Sequence, residues 1–358
     1  MDRSPASTEM LRSLDRLRQG IHAGREETRH LVDGVLAGTV DLEPFGQWLV
    51  ALAELGESAD EIAGVAEALR ARMLPVHPTH AVVADTCGTG GDGCGSFNIS
   101  TAAAIVAAAA GLPVAKHGNR AVTSRTGSAD VLEQLGVAVG VPPEASAHLL
   151  ADLGFCFCLA PVHHPAMARV GPLRRSLGRP TVFNLVGPLC NPAGATVQVI
   201  GVGRAAAREP LAEAARLLGA QRTLVVSGHV GDTATAFDEI SLFGPTDVID
   251  VSAGMTTRSR WTPEDFGIAM QPAVRIEELA VAGPVESAKA IRDVLAGAKG
   301  PRRDVVVLNA AAVLWAADRA SDLPTARATA EAAIDSGAAA RLLFAMAPAT
   351  KNGQAFQA

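Results

Sequence analysis

One glycine-rich stretch gives the first indication of the fold: residues 85–101 read DTCGTGGDGCGSFNIST. Five glycines fall within eight residues there, between an apolar run and an alanine-rich stretch: Gly88, Gly90, Gly91, Gly93 and Gly95. Glycine allows backbone N–H groups to approach an anion closely, and the N-terminus of a following helix contributes its dipole. A flexible turn before a capped helix would not need so many glycines. The stretch therefore predicts a phosphate-binding loop that joins a strand to a helix.

Apolar runs on both sides of this loop alternate with helical patterns. The predicted strands cover residues 81–84, 112–115, 155–159, 196–202, 223–226, 248–251 and 305–308. The predicted helices between or after them include residues 101–110, 209–218 and 325–334. This alternation is typical of an α/β fold, and it predicts a mostly parallel central sheet flanked by helices on both faces.

The N-terminal 75 residues show helical patterns only. Apolar side chains recur at helical spacing in two stripes, residues 10, 14, 17 and 21 and residues 45, 48, 49 and 52. Ser58 and Glu61 predict a capping box at the start of a further helix. The stripes indicate either core packing within a small bundle or, in part, contact with a second subunit. We therefore expect a small all-helical domain over residues 1–75, a linker over 74–80, and a large α/β domain over 80–358.

Composition excludes several classes of function. Among the 358 residues, 31 Lys and Arg stand against 37 Asp and Glu, aromatic residues make up 4%, and Tyr is absent. A net charge of −6 and few aromatic rings argue against a nucleic-acid-binding surface. The five cysteines form no C-x-x-C motif, residues 1–20 contain no apolar signal segment, and the apolar stretch 102–115 is too short to span a membrane. We expect a soluble protein of a reducing cytoplasm.

The loop sequence does not match the common nucleotide-binding patterns. Gly88, Gly90 and Gly93 satisfy G-x-G-x-x-G, but a dinucleotide site needs an acidic residue about 20 positions later. Residues 112–120 instead read LPVAKHGNR, which places Lys116 and Arg120 at the end of the next predicted strand. No Gly-Lys-Ser/Thr closes the loop, so a Walker A site is excluded as well. A glycine-rich and a basic strand end at one sheet edge favour another phosphate ligand.

Eight motifs along the chain carry a resemblance to one family. They are GTGGDG at 88–93, FNIST at 97–101, KHGNR at 116–120, GSADVLEQLG at 127–136, HPAM at 164–167, VFNLVGPLCNPA at 182–193, DEIS at 238–241 and LNAA at 308–311. In order and spacing they resemble anthranilate phosphoribosyltransferases. The resemblance implies transfer of phosphoribosyl from 5-phosphoribosyl 1-diphosphate (PRPP) to anthranilate in tryptophan biosynthesis. It also implies a homodimer joined through the helical domain, which part of residues 165–180 is expected to complete.

The same resemblance implies the site residues. Those expected around PRPP are Gly88, Gly91, Asp92, Ser96, Asn98, Ile99, Ser100, Thr101, Lys116, His117, Gly118, Asn119, Arg120, Ser124 and Ser128. Arg174, with Arg175 beside it, is expected to bind the anthranilate carboxylate, and Pro161, His164 and Met167 to lie near the entrance. Asp238 and Glu239 are expected to hold Mg²⁺, with Ser100 helping a second ion. Lys116, Asn119 and Arg174 are the expected catalytic groups.

The implied chemistry agrees with these residue types. Displacement of diphosphate from an anomeric carbon requires neutralisation of the leaving group, whereas an aryl amine is already a neutral nucleophile and needs no strong base. Asp238 and Glu239 are adjacent, and in a regular strand they would point to opposite faces, so we expect a loop or bend there. For His117 we favour a hydrogen-bonded structural role over proton transfer. His163 and His164 are consecutive, a spacing that seldom chelates one ion.

Two other functions remain open from the residues. A nucleoside phosphorylase of the same fold would share GTGGD, but KHGNR and the Asp-Glu pair would be unexpected in it. A non-catalytic relative that binds nucleic acid is disfavoured by the net charge of −6. The chain also departs from the family pattern: residues 233–237 read TATAF before Asp238, Cys190 stands where Thr is common, and Ser96 replaces a frequent Thr.

Overall fold

The computed structural model describes residues 5–121, 125–231, 236–269 and 275–351. Ser124, which we expected near PRPP, lies outside these described residues, as do residues 233–235 of the segment that precedes Asp238. No helix within the described ranges is long and apolar enough to cross a membrane.

The N-terminal part of the chain is helical, as the apolar stripes predict. Its helices are α1 (Pro5–Arg18), α2 (Arg25–Ala37), α3 (Leu42–Leu55) and α4 (Ala59–Arg70). The capping box is confirmed: Ser58 and Glu61 exchange hydrogen bonds at the start of α4. Met10 and Trp48, from the two stripes, are fully buried, whereas Ile21 is 47% exposed. Most of the stripe residues therefore pack within the chain.

An eight-stranded sheet forms the centre of the molecule. Its strands are β1 (Ala84–Gly88), β2 (Val114–Gly118), β3 (Phe155–Leu159), β4 (Val197–Gly201), β5 (Arg222–His229), β6 (Ala236–Phe237), β7 (Thr246–Ser252) and β8 (Met255–Trp261). The order is β3-β2-β1-β4-β5-β7-β8, and β6 pairs with β5. The neighbours from β3 to β5 are parallel, and β6, β7 and β8 add antiparallel pairs. The carboxyl ends of β1, β2 and β4 therefore lie side by side.

Helices cover both faces of this sheet. They are α5 (Ile99–Ala109), α6 (Ser128–Gln134), α7 (Pro143–Leu153), α8 (Ala160–His163), α9 (Gly171–Leu177), α10 (Val182–Val186), α11 (Arg208–Leu217), α12 (Pro284–Leu295), α13 (Pro301–Ala316), α14 (Leu323–Asp335) and α15 (Ala338–Lys351). Alternate strand residues enter different cores: Leu224 packs in the core that contains α5 and α13. Val225 packs in the core that contains the N-terminal helices and α11. A sheet buried on both faces explains why its strands read as continuous apolar runs.

The predicted strand at residues 305–308 is wrong, because these residues lie inside α13. Gly300 precedes that helix, Pro301 occupies its first turn, and nearly every residue from Val305 to Leu314 is buried. A helix buried on all sides has no polar face, so its sequence lacks the helical period and resembles a buried strand. The predicted helices within 101–110, 209–218 and 325–334 are confirmed as α5, α11 and α14.

Candidate functional site

The glycine-rich loop leaves β1 at the carboxyl edge of the sheet and leads into α5. Gly90, Gly91, Gly93 and Gly95 have φ angles between 65° and 83°, in the left-handed region that side chains other than glycine rarely adopt. Gly88 serves a different purpose, because a Cβ there would lie 2.6 Å from the Asp238 Oδ2. The glycines thus allow both the turn of the loop and its close approach to an acidic segment.

The loop carries a run of backbone donors without partners. In the described part of the chain, the N–H groups of Gly91, Asp92 and Gly93 make no hydrogen bond. The N–H groups on either side are used: Gly90 donates to Asp238 Oδ2 over 3.0 Å, and Cys94 donates to Asp92 Oδ1 over 3.1 Å. Successive N–H groups in a left-handed turn form a concave site for an anion. The loop is therefore arranged to bind phosphate oxygens.

Asp238 and Glu239 lie against this loop and against the end of β4. They follow β6 in a bend, as the need for both carboxylates on one side predicts. The Glu239 Oε1 accepts the N–H of Ser100 at the start of α5 over 3.0 Å. Gly201, the last residue of β4, leaves room for them, since a Cβ there would lie only 1.6 Å from the Asp238 carbonyl oxygen. Both carboxylates therefore face the loop and the N-terminus of α5.

Burial controls the ionisation of this acidic pair. It raises the pKa of Asp238 well above its usual range, and the nearby charges of Asp92 and Glu239 raise it further. Burial also raises the pKa of Glu239 to about 8, although Lys116 and the Ser100 N–H act in the opposite direction. The ionised forms of these two carboxylates are disfavoured where they stand, and a nearby cation would stabilise them.

Lys116 lies beneath the loop rather than on its surface. Its side chain is 2% exposed, and its ammonium donates to the Thr86 carbonyl over 2.5 Å and to the Ser100 Oγ over 3.4 Å. Its charge also acts on Asp85, a buried carboxylate whose pKa burial raises above its usual range. Asn191 donates to Asp85 Oδ2 and to the Ala115 carbonyl, each over 2.8 Å. Asn191 belongs to the motif at 182–193, but no local sequence pattern predicts its place in this network.

His117 has the surroundings of a structural residue. Its Nδ1 lies 3.1 Å from the Gly187 carbonyl oxygen, so Nδ1 carries the proton, and Nε2 is buried with no partner among the residues that the structure describes. Burial lowers the pKa of His117 to about 3, and the neighbouring His164 ring, 5.1 Å away between centroids, adds to this effect. A neutral imidazole bound to the backbone supports the structural role over proton transfer.

The segment after β2 returns to the same edge of the sheet. Ser128, the first residue of α6, donates from Oγ to the Asn119 carbonyl over 3.3 Å. A Cβ on Gly118 would lie 2.1 Å from that Oγ, so Gly118 permits this approach. The Arg120 guanidinium already has partners, since it lies 2.6 Å from Glu133 and 3.3 Å from Asp130. The structure therefore places Arg120 in a local ion-pair network, not as a free cation.

The start of α5 distributes its polar side chains between surface and core. Ile99 and Thr101 are buried, and the Thr101 hydroxyl has no partner within the described ranges. Ser96 forms an isolated antiparallel bridge with Ala280.

Sequence reasoning missed Arg125, whose guanidinium lies 3.5 Å from the position that a Cβ on Gly95 would occupy. A single arginine at the margin of a loop gives no sequence signal by itself.

Arg174 lies in α9 and has an aromatic partner but no acidic one. Its guanidinium carbon lies 5.1 Å from the centre of the Phe183 ring. Burial lowers the pKa of Arg174, and no carboxylate opposes that effect. Across residues 5–121, 125–231, 236–269 and 275–351 its side chain makes no hydrogen bond or ion pair. A half-buried guanidinium in this condition is suited to a carboxylate ligand.

The arrangement brings the glycine loop, Asp92, Asp238, Glu239 and Ser100 together. Among the residues that the structure describes, no three His, Cys, Asp or Glu side chains are arranged as a complete metal site. Asn309 belongs to the LNAA motif. Its side-chain amide accepts a hydrogen bond from the Ile240 N–H and donates one to the Ile240 carbonyl, immediately after the acidic pair.

Comparison with known proteins assigns the chain to a family. The helical bundle domain of a glycosyl transferase family matches residues 12–73, and the a/b domain of a glycosyl transferase family matches residues 80–340. The chain therefore belongs to the glycosyl transferases of this type. A protein of Rhodopirellula baltica named anthranilate phosphoribosyltransferase is 46% identical over 322 residues, or 90% of this chain and 92% of the relative. Within the class, the chain belongs to the anthranilate phosphoribosyltransferase family.

Solved structures agree with this assignment. The anthranilate phosphoribosyltransferase of Thermus thermophilus superimposes with a TM-score of 0.86 at 41% identity, covering 95% of this chain and 99% of its own. The enzyme of Saccharomyces cerevisiae, solved in complex with PRPP and Mg, gives a TM-score of 0.85 at 28% identity, covering 96% and 98% of the two chains.

Proposed function

We propose that this chain transfers the phosphoribosyl group of PRPP to the amino group of anthranilate, giving N-(5-phosphoribosyl)anthranilate and diphosphate in tryptophan biosynthesis. The observation that carries the proposal is the row of N–H groups at 91–93, which make no hydrogen bond to any described residue, beside the Asp238 and Glu239 carboxylates. PRPP carries a phosphate at one end and a diphosphate at the other. A phosphate-binding turn next to oxygen ligands for a cation suits such a substrate. Membership of the family and the yeast relative, solved with PRPP and Mg, support the same substrate.

Asp238 and Glu239 are the proposed magnesium ligands, with Ser100 for a second ion. Their donor set fits the metal, because Mg²⁺ prefers oxygen ligands and keeps several waters rather than filling a cage of protein groups. When bound, Mg²⁺ supplies neutralisation of the charge that develops on the leaving diphosphate.

The remaining groups bind and orient the two substrates. The N–H groups of the glycine loop and the start of α5 bind phosphate oxygens, together with Asn98 and Ser128. Lys116 supplies positive charge from beneath the loop, and Asn119 lies at the adjacent strand end. Arg174 binds the anthranilate carboxylate and thereby directs the amine toward the anomeric carbon. The C–N bond forms as the C–O bond to diphosphate breaks, and the attacking nitrogen then gives up one proton to the departing diphosphate or to water, so no strong base is required for attack.

The division into domains is part of the proposal. Residues 1–75, joined by part of 165–180, would form the helical domain, and residues 80–358 the PRPP-binding domain. Packing of α9 and α10 against α3 supports this division: the Phe45 and Phe183 ring centroids lie 6.2 Å apart, and Gly46 makes room for Leu173. The two matched regions, 12–73 and 80–340, have similar limits.

A homodimer through the N-terminal helices and a cytoplasmic location complete the proposal. Ile21 continues the apolar stripe of α1 but is 47% exposed, which supports an intermolecular contact at that end of the helix. All five cysteines are free, which suits a reducing compartment.

Removal of the two carboxylates tests the proposed function. Purified protein with Mg²⁺, PRPP and anthranilate should consume the fluorescence of anthranilate. The double variant D238N/E239Q should abolish this loss while it keeps the fold, because amides cannot neutralise a divalent ion. Near-normal turnover by the double variant would contradict the metal assignment, provided that circular dichroism shows both proteins folded.

A further inference from the structure

We propose that Ser287 is a positioning residue for the phosphate site: it fixes the side-chain amide of Asn98 so that the NH₂ group faces the bound phosphate. The inference rests on the proposed function and names a residue outside every motif that carries the family resemblance. Ser287 lies in α12, fully buried and 189 positions away from Asn98 along the chain.

The hydrogen bonds around Ser287 determine its direction of donation. The Asn98 backbone N–H donates to Ser287 Oγ over 3.0 Å, and the same Oγ lies 2.8 Å from Asn98 Oδ1. A serine hydroxyl carries a single proton. Because the N–H group can only donate, Ser287 directs its own proton to Oδ1. Ser287 therefore holds both the backbone and the side chain of Asn98.

A second hydroxyl completes the orientation of the amide. Thr126 donates from Oγ1 to Asn98 Oδ1 over 3.0 Å. An amide oxygen has two lone pairs, so the donors from Ser287 and Thr126 use both of them. With the amide rotated, its NH₂ group would donate to the two hydroxyl oxygens, and the protons of Ser287 and Thr126 would lose the acceptor that Oδ1 supplies. The carbonyl oxygen therefore faces α12, and the NH₂ group faces the opposite side.

The NH₂ group of Asn98 is left for a ligand. Its Nδ2 makes no hydrogen bond within the described chain and is not among the buried unpartnered atoms there, so it reaches solvent. The Asn98 side chain also does not cap α5, although Asn98 occupies the N-cap position. An NH₂ group can only donate and a phosphate oxygen can only accept. Without Ser287, a rotated amide would instead set its oxygen against the phosphate.

A double-mutant cycle tests this inference. S287A should weaken binding of diphosphate with Mg²⁺, measured by calorimetry, by about 10-fold, the range of one hydrogen bond to a charged group. The KM for PRPP should rise by a similar factor, and the KM for anthranilate should stay within about twofold of wild type. In an N98A background, S287A should have no further effect on diphosphate binding, because Ser287 acts through Asn98. S146A is the control, since Ser146 is equally buried in α7 and its hydroxyl has no partner in the part of the chain that the structure describes.

Two results would overturn the inference: wild-type affinity of S287A for diphosphate, or an equal loss from S287A in the presence and absence of N98A. Should S287A fail to fold, S287C decides, because a thiol is only a weak hydrogen-bond donor to Asn98 Oδ1. Weakened diphosphate binding by folded S287C that disappears in the N98A background supports the inference, and retained binding overturns it. Failure of the proposed function is distinguishable, since wild-type protein would then bind diphosphate without consuming anthranilate.

Discussion

Replacement of Arg174 by alanine should weaken anthranilate binding and leave the free protein folded. The guanidinium rests against Phe183, 5.1 Å from the ring centre, and has no carboxylate partner in the described part of the molecule. Within the described part of the molecule, the positive charge of Arg174 is therefore stabilised by the Phe183 ring and by solvent. The carboxylate of anthranilate would supply the missing acceptor.

The size of the effect follows from the bonds that are lost. A hydrogen bond between charged groups contributes roughly 1.5–3 kcal/mol, so loss of this interaction should raise the KM for anthranilate about 100-fold. The loss of cation–π contact with Phe183 should lower the free energy of unfolding by only about 1 kcal/mol. Burial of a charge without an acidic partner already opposes that contribution, as the lowered pKa of Arg174 indicates.

Steady-state kinetics with each substrate varied in turn would measure the change. The KM for PRPP should stay near the wild-type value, and R175A is the matched control because Arg175 is exposed on the same helix. R174K should recover part of the affinity, since lysine keeps the charge but not the paired donors. An unchanged KM for anthranilate in R174A would refute the assignment of Arg174 to the carboxylate.

Two further predictions concern packing and pH. G201A should reduce kcat roughly 100-fold, because its Cβ would displace the Asp238 backbone, whereas G140A, which adds its Cβ in open space, should not; equal activity of the two variants would contradict this. Burial lowers the pKa of His164 to about 4, so its neutral form stabilises the fold above pH ~6.5, and that stabilisation is lost as pH falls toward 4. Between about pH 6 and 4.5, the unfolding free energy of wild type should therefore fall by about 1.4 kcal/mol per pH unit more than that of H164Q. Parallel plots of unfolding free energy against pH for the two proteins would contradict the lowered pKa of His164.

The turn of the glycine-rich loop could be predicted because its backbone requirements are local in sequence. Four glycines adopt left-handed backbone angles, and the fifth makes room for Asp238, so residue type alone indicated an anion-binding turn. The strand-helix alternation likewise predicted the class of fold. The strand predicted at 305–308 failed because a helix without a polar face carries no period that distinguishes it from a buried strand.

Other features of the site depend on tertiary contacts that no local pattern reveals. Arg120 stands in a basic motif, yet the fold places Glu133 2.6 Å from its guanidinium. Asn191 forms a hydrogen bond with Asp85, and Asn309 forms one with Ile240, although each pair is distant along the chain. Ser287 reaches Asn98 across 189 positions. Such residues can be found only when the backbone path and the direction of each donor are known.

The central claim is the transfer of phosphoribosyl to anthranilate, and its most direct test is the stoichiometry of a single reaction. Wild-type protein would be mixed with Mg²⁺, PRPP and anthranilate, and loss of anthranilate fluorescence would be recorded together with released diphosphate. We predict one diphosphate for each anthranilate consumed, and a product with the mass of N-(5-phosphoribosyl)anthranilate. Diphosphate released without loss of anthranilate, or phosphorolysis of a nucleoside in place of this transfer, would contradict the account.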